Sequence, residues 1–120
     1  MTIDLDLIVV QQLLDDTGAA AGDLIRHFIG DIRAKLDDLS NLPHEPDMTA
    51  CVLHAHSLKS LSLTCGLIGI ADKAYALELA CRDGNTELAA LQIAGISKRL
   101  EPAIDALCAF VDERTPPQEP

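Results

Sequence analysis

Apolar and polar positions along this 120-residue chain repeat in the three-and-four step of amphipathic helices, and no segment alternates long enough to make a strand. A first, short helix is predicted over 4–16, stopping at Thr17-Gly18. A second covers 20–39, where Ile25, Phe28, Ile29, Ile32, Leu36 and Leu39 form one stripe. The run Asn41-Leu42-Pro43-His44-Glu45-Pro46 breaks it, because each proline disfavours helix at the residue before it. Asp47 is placed to cap a third helix, 48–65, which ends at the glycines Gly66 and Gly69. A fourth helix, 70–82, ends at Gly84. Asn85 can cap a fifth, 86–113, whose stripe runs from Leu88 or Leu91 through Ile96, Leu100, Ile104 and Leu107 to Val111. Pro102 lies inside that stripe and is expected to bend the helix or loosen one turn.

Short connections between long amphipathic helices imply an all-α fold, an antiparallel four-helix bundle preceded by a short extra N-terminal helix. The bundle would occupy 1–114 as one domain, with a disordered tail over 115–120. Composition sharpens this. Phe28, Tyr75 and Phe110 are the only aromatics, so the core has to be built from Leu, Ile, Val and Ala, a mixture that favours helix over sheet. Such a bundle by itself is equally a docking module for other proteins, so the fold does not decide the function.

Charge removes several classes of partner. Lys and Arg number 9 against 19 Asp and Glu, a net charge of −10, and an acidic surface repels nucleic-acid backbones and anionic lipid. No apolar run approaches the roughly 20 residues that span a bilayer. The N-terminal stretch MTIDLDLIVVQQLL carries acids where an export signal carries bases, and the expected location is the cytoplasm. The four cysteines, Cys51, Cys65, Cys81 and Cys108, form no CxxC pair and lie in apolar helical stretches, so they are expected to be reduced thiols in the core. The chain has no Glu-x-x-His pair, and the fragment Cys51-x-x-His54 lacks a second ligand pair, so no metal or other cofactor is expected. No glycine-rich phosphate loop is present, which argues against autokinase activity.

One segment departs from a plain bundle helix: His56-Ser57-Leu58-Lys59-Ser60-Leu61-Ser62-Leu63-Thr64-Cys65-Gly66. At about 100° per residue, Lys59 and Ser60 share the face of His56, and Leu63 extends the same stripe by another turn. Cys51, Leu58, Ser62 and Cys65 take the opposite side and can pack inward. His56 is thereby placed at the surface, beside a cation, a small residue and an apolar one. His54, two residues away, points to nearly the opposite side and is read as structural, and His27 and His44 as ordinary surface histidines. A neutral imidazole is a good nucleophile near pH 7 and can attack the phosphoryl group of an acyl phosphate. A lysine one turn away balances the negative charge so acquired, and a small neighbour leaves room for a partner's site.

The segment resembles the histidine-containing phosphotransfer (HPt) family. Its signature, His-x-Leu-Lys-(Gly or Ser) with a glycine ten positions after the histidine, is matched by His56-Ser57-Leu58-Lys59-Ser60 and Gly66. Ile70, Ala74 and Leu77-Glu78 follow at the family's spacing, and Leu13-Leu14-Asp15-Asp16 and Leu24-Ile25-Arg26-His27-Phe28-Ile29 look like its leading helices. The resemblance implies that His56 is phosphorylated, that Lys59 is its charge partner and that Ser60 fills the small-residue position. It implies receiver domains of response regulators, or a hybrid histidine kinase, as partners of a monomeric phosphorelay intermediate. Leu63, Phe28, Lys73 and Arg82 are candidate docking residues, with Phe28, on the apolar stripe of the second helix, better suited to the core.

Overall fold

The structure, a computed structural model, describes residues 5–42 and 48–114. In chain order it contains α1 (Leu7–Thr17), a 3-10 turn (Gly18–Ala20), α2 (Ala21–Ser40), α3 (Thr49–Thr64), α4 (Ile68–Arg82) and α5 (Thr86–Arg114), and no strand among the described residues. The expected start of the first helix at Asp4, the cap at Asp47, the surface histidine His44 and the tail 115–120 lie outside the described residues.

The helix ends follow from local chemistry. Asp6 caps α1, its Oδ1 accepting from the backbone N–H groups of Ile8 and Val9 at 3.1 and 3.3 Å. Asn85 caps α5 as expected, accepting from the Leu88 N–H at 3.1 Å. The fourth helix starts at Ile68, two residues before the predicted point, directly after the α3–α4 turn. That turn is made at Gly66, whose φ of +79° suits glycine. A Cβ built there would lie 2.6 Å from Val10 Cγ2 and 3.0 Å from the Asp6 carbonyl oxygen. The glycine is small because α1 passes over the turn, and the Asp6 N–H donates to the Gly66 carbonyl at 2.7 Å.

α2, α3, α4 and α5 each pack on their sequence neighbours, and α2 closes the ring against α5, with α1 lying against α2. The core between them is aliphatic: Ile25, Ile29 and Ile32 of α2, Leu58 of α3, Ile70 and Leu77 of α4, and Ile96, Leu100, Ile104 and Leu107 of α5. Phe28 and Phe110 only flank it, half-buried, and Tyr75 is exposed. The α5 stripe departs from prediction at its start. Leu88 and Leu91 are exposed, and Ala89 enters the core in their place. Its residues Ala89 and Ile96 are seven apart, on one stripe that neither leucine shares. α5 runs unbroken through Pro102, which sits on the exposed side.

The cysteines need a correction. Cys51 of α3 and Cys81 of α4 form a disulfide, with Cα atoms 6.0 Å apart; only Cys65 and Cys108 are free. The cause is the hairpin: α3 and α4 run antiparallel about Gly66, and the two cysteines are 30 residues apart with that glycine at the midpoint. Equal offsets from a turn bring residues opposite one another. Cys65 behaves as expected, a thiol whose burial pushes its pKa up to about 11.

Candidate functional site

α3 turns two faces in two directions. Cys51, Ala55, Leu58 and Ser62 are buried, while Leu53, His56, Ser60 and Leu63 form an exposed stripe. The His56 side chain is 57% exposed, and its Nδ1 lies 3.2 Å from Oε1 of Glu78 on α4. Glu78 itself is buried, at 4% exposure. A buried carboxylate is sustained only by partners, and Glu78 has three. Arg82 donates to Oε2 through Nη2 at 2.8 Å and Nε at 3.2 Å. Lys59 Nζ stands 3.5 Å from Oε1, the oxygen that faces His56. The guanidinium of Arg82 in the first place, then the His56 ring and the Lys59 ammonium, hold the Glu78 carboxyl below its ordinary value.

An ionised carboxylate can only accept, so the 3.2 Å contact requires the hydrogen of a neutral His56 to sit on Nδ1. Nε2 then carries the free lone pair. The arrangement aims one nitrogen of an exposed imidazole outward as a nucleophile and anchors the other on a fixed negative charge.

The sequence-predicted residues fall out as follows. His56, Lys59 and Ser60 come together on one stretch of α3, and Lys59 also lies over the Tyr75 ring, 4.8 Å from its centroid. Leu63 is exposed on the stripe. Arg82 joins the site through Glu78. Lys73 turns the other way, its Nζ close over Gly95 of α5. Phe28 packs half-buried against the core. His54 faces α2, 3.9 Å from Asp38. Sequence reasoning gave Glu78 no role. The available signal was an acid at i+4 from Ala74 and i+8 from Ile70, on a stripe that must be buried, followed at i+4 by Arg82. On the other side of His56, between α2 and α3, lies an open groove of about 540 Å³ that Lys35 of α2 shares with His56 and Ser60.

Among the described residues no cluster of His, Cys, Asp and Glu is suited to a metal ion, and no helix is long and apolar enough to cross a membrane. Searches of curated proteins and of solved structures found no match. The family model of the Hpt domain, a module of histidine phosphotransfer in phosphorelays, matches residues 23–110. That span holds nearly all of the four-helix ring and every residue gathered around His56, and leaves α1 outside. The chain belongs to the Hpt domain family.

Proposed function

We propose that this protein is a phosphorelay intermediate in which Nε2 of His56 accepts a phosphoryl group from a receiver-domain aspartyl phosphate and passes it on. The observation that carries the reading is the exposed His56 imidazole held through Nδ1 by a buried carboxylate, 3.2 Å away. The Nε2 lone pair attacks phosphorus, the Nε2–P bond forms, and the P–O bond to the partner's aspartate breaks, its electron pair leaving with the carboxylate. No proton has to move, because Nδ1 already carries it. The phosphorylated ring becomes cationic, and Glu78 lies beside that charge. The same cationic ring is a good leaving group for onward transfer.

Lys59 and Arg82 surround Glu78, so the carboxylate that orients the ring does not present a bare negative charge to the incoming phosphoryl group. Ser60 leaves the approach open. Leu63, with Leu53, Tyr75 and Leu79, supplies exposed apolar surface for a receiver domain. Phosphoryl transfer rests on positioning and charge stabilisation, so a partner that brings its own metal completes the chemistry without a cofactor here. The protein would act in the cytoplasm as a monomer, over a domain comprising 1–114.

The test is transfer of radiolabel from a phosphorylated receiver domain to the wild-type protein and to His56→Gln. Acid-labile, alkali-stable label on the wild type alone is expected. Absence of label across a broad panel of receivers would leave the chain a docking module, and label surviving in His56→Gln would move the acceptor to another histidine.

A further inference from the structure

His56 has a second flank. With Nδ1 turned toward α4, the far edge of the ring borders the α2–α3 groove, where Asp31, Lys35 and Asp38 of α2 face Ser57 and Ser60 of α3. A phosphoryl group on Nε2 would stand at the mouth of this groove. The cations around the ring are unequally engaged. Lys59 and Arg82 are both held by Glu78. Lys35 is half-buried in the groove wall and makes no ion pair or hydrogen bond among the described residues. It stands between two carboxylates, four residues after Asp31 and three before Asp38, so all three share one face of α2. Asp31 has His27 at 3.8 Å, and Asp38 has His54 at 3.9 Å. A phosphoryl group arriving here meets two like charges on α2 and one uncommitted cation.

We propose that Lys35 is a phosphoryl-binding residue, its ammonium contacting the phosphoryl oxygens on His56 from the α2 side while Lys59 and Arg82 remain on Glu78. The inference rests on His56 as the acceptor, and makes the phosphoryl site a cleft between α2 and α3 rather than a feature of the α3–α4 face alone. Lys35 offsets the repulsion from Asp31 and Asp38, so its loss leaves those two carboxylates unopposed on the α2 side of the phosphoryl group.

The experiment uses phosphoramidate, a small donor that phosphorylates imidazole with release of ammonia and needs no partner protein. Wild type, Lys35→Gln, Lys35→Arg and His56→Gln are treated alike, and the phosphohistidine resonance absent from His56→Gln is followed by phosphorus NMR from about pH 5 to 8, across the proton equilibrium of the phosphorylated imidazole. Asp31, Asp38, His27, His54, Glu78, Lys59 and Arg82 are common to wild type and both Lys35 variants, so differences report on position 35. Removing a nearby cation favours the protonated form of the phosphohistidine. Lys35→Gln is therefore expected to raise the proton affinity of the phosphohistidine about three- to tenfold, the range for a single charge at a hydrated surface, and Lys35→Arg to restore it. Superimposable titrations of wild type and Lys35→Gln would overturn the assignment of Lys35 and leave His56 in place. The lack of any His56-dependent resonance in the wild type would overturn both.

Discussion

Glu78→Ala isolates the role of the buried carboxylate. The substitution removes the acceptor for His56 Nδ1 and the partner shared by Lys59 and Arg82. A hydrogen bond to a charged group contributes about 1.5–3 kcal/mol. The His56 ring is 57% exposed, so water can replace part of what is lost, and the lower half of that range applies. At about 1.4 kcal/mol per factor of ten, phosphorylation of His56 slows roughly 10- to 40-fold. Glu78→Gln keeps the volume and an oxygen acceptor but no charge to balance the cationic ring, and it should fall between the two. Stability changes less: Arg82 is 57% exposed and rehydrates once released, so folding loses about 1–2 kcal/mol, some of it from the small void left by the side chain. The assay is the initial rate of phosphohistidine formation from phosphoramidate, with helix content checked by circular dichroism. A folded Glu78→Ala protein phosphorylated within twofold of the wild-type rate would refute the orienting role.

Gly66→Ala should destabilise the fold by about 2–3 kcal/mol, since it forces a positive φ on alanine and drives Cβ to 2.6 Å from Val10; a lowered urea midpoint is the measure, and an unchanged one contradicts the packing of α1 over the turn. Acid should weaken the protein in a defined direction. Glu78 and Glu101 have carboxyls held below the ordinary 4.5, chiefly by Arg82 and Arg33 respectively, so their stabilisation is complete above that value and is lost as pH falls through the lower folded values. Denaturation at stepped pH should show this loss, and Arg33→Ala should remove the Glu101 share of it. Thiol titration of the denatured chain without reductant should count two free cysteines, Cys65 and Cys108, rising to four after reduction; four at the outset would contradict the α3–α4 crosslink.

The helices and the placement of His56 were legible in the sequence because both follow from periodicity on a single helix. The stripe Ile25-Ile29-Ile32-Leu39 and the outward face His56-Ser60-Leu63 are read from spacing alone. What was missed depends on how two helices meet. Glu78 gains its role from the register of α4 against α3, and the pairing of Cys51 with Cys81 from where the hairpin turns. Lys73 and Arg82, both basic and both on α4, looked equivalent in the sequence. They are nine residues apart, about two and a half helical turns, so they leave opposite sides of α4, which sends one to α5 and the other to Glu78.

The crosslink between α3 and α4 bears on more than stability. Among the described residues, every one that touches the imidazole nitrogen Nδ1 or its carboxylate belongs to these two helices, so the tolerance of the site is the tolerance of their relative sliding. A slip of one residue, about 1.5 Å along the axis, would stretch a 3.2 Å contact beyond hydrogen-bonding reach. A covalent tie five residues from His56 and three from Glu78 acts as an alignment pin, set close enough to the working atoms that thermal shear in the rest of the bundle is not passed on to them. Accuracy at the exposed imidazole is thus supplied from the flank, and the surface around it stays open.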